Sequence, residues 1–318
     1  MIWLSWRQQR TETLITGAIL ALLAAAFVPM GIHLAHLFTQ QDIARCVGKD
    51  TVVCNEAISN FGNRAGILRS LTAGGWFNLI PGLIGVALAA PLLLDVESGT
   101  IRLAWTQSVT RRRWLATKLA VTVGTALLAA AAFSALFTWY QGPLNQVYGR
   151  FDDFDFQGIV PLAYVLFGLA LALALGVLLR RTAPAIVVGF AAYVAARIFV
   201  QSWLRQRFVS PLVTTWGPPS HGPNLAHAWI LFEGPSDRAG HLFTGNSLVL
   251  QSCSRVVAHG VKGFDPACLR RHGAGYNHVI WQPASRFWEF QGIETALFGG
   301  IALVLLAFAA WWLRSRSA

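Results

Sequence analysis

Residues 159–179 read IVPLAYVLFGLALALALGVLL, a run without a single charge and as long as a helix that crosses a bilayer. A hydrocarbon core about 30 Å thick takes roughly 20 helical residues, so this stretch decides the fold class unless a soluble core can bury it whole. Composition argues against such a core. Of 318 residues 55% are hydrophobic and only 12% charged, and the mean hydropathy is +0.51, values of an integral membrane protein. Working outward, five more runs reach spanning length: 14–38, 76–94, 114–140, 185–204 and 292–313. The expected fold is an all-α polytopic membrane protein with six transmembrane helices. Small residues crowd the spans, as in LLAAAAF and FGLALALALG, which lets helices approach closely in lipid. Pro29, Pro81, Pro91 and Pro161 fall within the runs, so kinks are expected, above all in the second.

Orientation follows from the short loops. Arg7 and Arg10, Arg102 with Arg111, Arg112 and Arg113, Arg180 with Arg181, and Arg314 with Arg316 all fall on one side of a six-span arrangement. The loop QGPLNQVYGRFDDFDFQG, with three aspartates and one arginine, falls on the other. Both termini are therefore expected in the cytoplasm of a plasma-membrane protein, with the first run an uncleaved helix. A net charge of +11 is then the cationic rim of a membrane protein facing anionic lipid, and nucleic acid is not an expected partner.

The cysteines sort the same way. Cys46 and Cys54 lie between the first two spans and Cys253 and Cys268 between the last two, all on the outer side, as an oxidising exterior requires. Of three connectivities, the local pairs Cys46 with Cys54 and Cys253 with Cys268 close short loops and are favoured. The segment 205–291 is far longer than a connector needs. It reads as a small disulfide-bonded extracytoplasmic domain in which AHAWILFEG and SLVLQSC are β-prone. The expected organisation is 1–204 for five spans, 205–291 for the outer domain, and 292–318 for the sixth span and tail.

No P-loop, dinucleotide fingerprint, H-E-x-x-H or G-x-S-x-G occurs, so no catalytic residues, cofactor or metal are expected in this chain. The histidines of 205–291 have irregular spacing, and His33 and His36, one turn apart in the first span, read as interfacial. Ionisable groups within spans are costly; Arg197 and Glu294 sit at similar depth and are expected to pair, setting helix packing. Lys118 lies near enough to the inner boundary to snorkel.

Between the second and third spans, VESGTIRLAWTQSVTRRRWLATKLA (96–120) carries more than a stop signal needs. Leu103, Trp105 and Val109 give it an apolar face suited to a protein contact, and Thr110 is placed to cap the helix that follows. Glu97, Gly99 and Thr100, followed by Arg111 and Lys118, resemble the E-x-G-T … R … K pattern of the ABC-2 class of ATP-binding cassette permeases. MIWLSWRQQR, RLAWTQSVTRRRWLATKLA and WQPASRFWEFQGIE resemble an actinobacterial group within that class. The resemblance implies a six-helix permease that dimerises and binds two copies of a cytosolic ATPase carrying ATP and magnesium. It makes residues 95–113 the coupling loop. The enlarged segment before the last span departs from the class. An exporter of amphipathic cargo is the leading expectation; a membrane-anchored receptor or adaptor acting through the outer domain is the alternative.

Overall fold

The computed structural model describes residues 2–49, 51–73, 76–98, 110–220, 222–243, 247–256 and 262–315. Six of its helices are long and apolar enough to cross a membrane, over Arg10–Gln40, Phe77–Glu97, Arg112–Tyr140, Val160–Leu179, Thr182–Arg207 and Ala284–Ser315. In chain order the helices are α1 (Ile2–Gln40), α2 (Ile43–Cys46), α3 (Val52–Ala73), α4 (Ile80–Glu97), α5 (Arg111–Tyr140), α6 (Gly142–Tyr148), α7 (Val160–Leu179), α8 (Thr182–Phe199), α9 (Leu248–Ser252), α10 (Pro266–Arg271) and α11 (Phe287–Ser315). The chain forms two compact units, one of residues 1–147, 153–205 and 288–318, the other of 148–152 and 206–287.

In the helical unit α4 and α7 pack most intimately, and glycine makes this possible. A Cβ on Gly85 would stand 2.2 Å from the Val165 carbonyl oxygen and 2.8 Å from the Leu169 nitrogen. Gly168 faces the Gly82 carbonyl in return, and the Tyr193 ring of α8 lies over Gly82. Without a hydrophobic drive between helices in lipid, such close backbone approach supplies the dispersion energy that holds them. Pro81 and Pro161 sit in the first turns of α4 and α7, where a missing N–H is harmless. Pro29 and Pro91 lie inside α1 and α4, which continue through them.

At one end of this unit Phe27, Phe77, Phe133, Phe137, Tyr140 and Phe156 interlock with ring centres 4.7 to 5.8 Å apart. Between the first two spans lies a further helix, α3, too polar to have stood out among the apolar runs. The Cys46–Cys54 disulfide joins α2 to its first turn, and Phe61 of α3 meets Phe38 of α1 edge-on.

The second unit is built on an antiparallel three-stranded sheet with β5 (Tyr276–Gln282) between β1 (Leu212–Trp216) and β2 (Trp229–Ser236). Val279 at its centre is fully buried. The strip 148–152 contributes Phe151, which stacks on Trp229 and meets Phe287 edge-on. A smaller ribbon pairs β3 (Ser254–Val256) with β4 (Lys262–Phe264). The expectation of a strand in SLVLQSC is corrected: Ser247 caps a helical turn there by accepting the Leu250 N–H, giving α9. The Cys253–Cys268 disulfide links the end of α9 to α10. With a sequence separation of 15 between its cysteines, it removes loop-closure entropy worth about 3 kcal/mol from the unfolded chain. A Cys253→Ala, Cys268→Ala variant should therefore open this unit roughly a hundredfold more often, read as the rate of proteolytic cleavage within 206–287 under native conditions.

Candidate functional site

The last turn of α4 carries Asp95 and Glu97, acids at the helix end where the macrodipole disfavours negative charge. Each is compensated by another helix. Asp95 forms an ion pair with Lys118 of α5, whose side chain is buried and whose ammonium also lies 5.4 Å from the centre of the Trp114 ring. The expectation that Lys118 snorkels to the boundary is thus corrected: a carboxylate meets the ammonium inside the helical layer, so it has no need to reach water. Glu97 Oε2 accepts the Thr182 N–H at 2.8 Å. Thr182 opens α8, and its N–H is among those a helix cannot satisfy internally.

Local geometry makes that contact possible. Arg180 ends α7 in the left-handed conformation (φ 54°), its N–H returning to the Gly176 carbonyl, and Arg181 is extended, so the chain turns back at once into α8. Ser98 closes α4 by donating both its N–H and its hydroxyl to the Leu94 carbonyl. Thr110 stands at the start of α5 in extended conformation; its carbonyl accepts from Trp114, but its side chain makes no capping bond, contrary to expectation. Gly99, Thr100, Leu103 and Trp105 lie outside the described residues, and Arg111 enters as the first residue of α5. The residues read together from sequence therefore part company: Glu97 joins α4 to α8, and Lys118 joins α5 to α4.

At the opposite end of α8 a second constellation is fully enclosed. Glu294 of α11, with no exposed surface, accepts from Arg197 Nη1 at 2.8 Å and is held by Arg205 through Nε at 2.7 Å and Nη2 at 2.9 Å. Asp155, from the turn before α7, pairs with Arg205 and lies 2.8 Å from Arg197 Nη2. The Tyr164 hydroxyl of α7 is 2.5 Å from Glu294 Oε1 and 3.0 Å from Asp155 Oδ1, and the Arg197 guanidinium stacks 3.6 Å above its ring. Burial alone would raise the Asp155 pKa; the charges of Arg205 and Arg197 outweigh it and hold the carboxyl well below the usual range.

Two cations and two anions cancel, so this cluster keeps no spare charge for a ligand. Its chemistry is that of a clamp joining α7, α8 and α11. Sequence reading found Arg197 and Glu294 but missed Asp155, Tyr164 and Arg205. Arg205 was hidden by helical geometry. Eight α-helical residues turn the chain roughly 80° past two full turns, which would point Arg205 away from Arg197. Val200–Leu204 is instead a π-helical turn. It absorbs one extra residue, so the arginines project as a seven-residue pair within about 20° of one another. Beside the clamp, Gln291 anchors the start of α7: its Oε1 accepts from Ile159 and Val160, and its Nε2 donates to the Phe154 and Gln157 carbonyls, all between 3.0 and 3.1 Å.

In the second unit His278 Nδ1 meets Thr215 Oγ1 and His241 Nδ1 meets Asp237 Oδ2, each at 2.8 Å, and His33 and His36 of α1 are exposed. Among the described residues the one grouping with metal-ligand spacing is Cys253, Cys268 and His272, and the disulfide occupies both of its sulfurs. A family model described as ABC-2 membrane transporter related matches residues 17–205. That range holds the whole α4 junction and every member of the buried clamp except Glu294. No curated protein and no solved structure matches the chain.

Proposed function

The chain belongs to the ABC-2 membrane transporter related family, and we propose that it is the permease subunit of an ATP-driven exporter, coupled through residues 95–113 to a separate cytosolic ATPase. In this reading both termini and the coupling loop face the cytoplasm, the unit of 148–152 and 206–287 faces outward, and two copies line a path at their interface. ATP and magnesium are bound and spent by the ATPase, since no phosphate-cradling loop occurs in this sequence. Closure of the ATPases moves the coupling loops, and the helices follow as rigid bodies. The apolar and small side chains of the spans suit amphipathic cargo such as a lipid, peptide or antibiotic.

The observation that carries the reading is the rooting of the loop: one end is tied to α8 by Glu97, and both flanking helices are locked together by Asp95 and Lys118. A loop that merely joined two spans would not need such anchors; one that transmits force does. Leu103, Trp105 and Arg111 are assigned to the ATPase contact, where a buried aromatic anchor carries much of the affinity. Capture of the ATPase from a detergent extract should be stable for the wild type and fall by about tenfold or more in a Leu103→Ala, Trp105→Ala variant. Wild-type chain that captures no ATPase overturns the reading and leaves the receptor or adaptor function.

A further inference from the structure

Within that coupling reading, we infer that Glu97 is a positioning residue: it ties the root of the coupling loop to α8 inside the chain and is not a contact to the ATPase. The first ground is its place in the sequence. An acid in the last turn of a helix opposes the helix dipole, so Glu97 is misplaced with respect to α4 and needs a partner elsewhere. The partner is specific. Pro184 removes one donor from the first turn of α8, and the Ala185 N–H returns to the Arg181 carbonyl at 3.3 Å. Glu97 Oε2 takes the Thr182 N–H at 2.8 Å, with the positive end of the α8 dipole behind it.

The second ground is connectivity. Residues 99–109 are joined covalently to α4 and α5, and Asp95 with Lys118 already locks those two together. Neither bond reaches α8. Glu97 does, and α8 is the helix whose far end carries Arg197 and, one π-turn on, Arg205, both bound to Glu294 of α11. In between, Gly189 of α8 lies against Ala172 of α7, a Cβ there standing 3.3 Å from the Ala172 Cα. This helix is thus gripped at both ends by charge and closely backed along its length. Tyr193 of α8 packs on Gly82 near the far end of α4, and Glu97 is the contact at the loop's own root by which a motion of the loop enlists α8.

The test follows amide hydrogen exchange at Thr182 and along 182–199 in the wild type, Glu97→Ala and Glu97→Gln, first in the chain alone and then in its complex with the ATPase, with and without ATP and vanadate. Gln keeps the acceptor oxygen and Ala removes it. In the chain alone, exchange at Thr182 should quicken by about tenfold in Glu97→Ala and stay within about twofold of the wild type in Glu97→Gln. In the complex, vanadate-trapped nucleotide should change exchange along α8 in the wild type and Glu97→Gln but not in Glu97→Ala, while all three capture the ATPase alike. Unchanged Thr182 exchange in Glu97→Ala sinks the tether whatever the ATPase does. Loss of ATPase capture in Glu97→Ala makes Glu97 an intermolecular contact and overturns the inference. A nucleotide response on α8 that survives Glu97→Ala overturns it too, and leaves the coupling reading standing.

Discussion

Glu294→Ala is expected to destabilise the helical unit by about 3–5 kcal/mol, the usual consequence of removing one partner from a buried ion pair. The substitution leaves Arg197 and Arg205 buried with only Asp155 between them, and it strips the Tyr164 hydroxyl of its nearer acceptor. The apparent melting midpoint in detergent should fall by on the order of 10 °C. Glu294→Gln keeps the shape but not the charge and should fall between the two. A Glu294→Ala, Arg205→Ala double variant should lose less than the sum of the single variants, because the second substitution removes a charge that the first left unpaired. A Glu294→Ala protein that melts with the wild type would show that the clamp contributes nothing to holding the helices. The pH dependence has a definite sign. Since Asp155 has a depressed pKa in the folded state, its contribution is full above the ordinary carboxylate range and is lost progressively as pH falls from that range toward the depressed value.

Gly85→Ala should be the most damaging single-methyl change in the spans. Its Cβ would meet the Val165 carbonyl and the Leu169 nitrogen, backbone atoms of α7 that cannot rotate aside, so the two helices must separate. Overpacking of this kind costs about 1–3 kcal/mol and occasionally more, and here it strikes the tightest helix contact of the unit. Two controls separate crowding from glycine chemistry. Gly124→Ala in α5 meets nothing within 4 Å and should be neutral or stabilise by up to about 1 kcal/mol through helix propensity. Gly176→Ala meets only the Leu93 side chain, whose far end can turn, and should fall between. Melting of the three variants in one detergent gives the order; equal losses at Gly85 and Gly124 would refute the close-packing account.

The spans were legible because a bilayer demands some twenty apolar residues in succession, a signal that needs no knowledge of partners. The cysteine pairs were legible because each closes a short loop. What sequence reading missed depends on distance along the chain or on local irregularity. Glu294 lies 130 positions from Tyr164 and 139 from Asp155, and no pattern in either neighbourhood announces the other. Arg205 was assigned beyond the membrane because it ends the apolar run 185–204, and nothing in VQSWL signals the π-turn that brings it into line with Arg197. α3 was not anticipated, because VVCNEAISNFGN holds no apolar run of spanning length. Around residues 95–118 the partners of the charged residues were not evident from sequence. Glu97 and Lys118, read as one motif, serve two separate joints.

The clamp also carries a consequence for how the protein is made. Arg197 and Arg205 enter the membrane with α8, whereas Glu294, and Gln291 which secures the start of α7, arrive only with α11 after the whole of 206–287 has been synthesised. For that interval the nascent chain holds two arginines with Asp155 as their sole acidic counterpart among the members of the clamp. The five earlier spans are therefore a provisional assembly, and insertion of the sixth is the event that completes it. A chain interrupted before Glu294 would lack the carboxylate that meets both arginines.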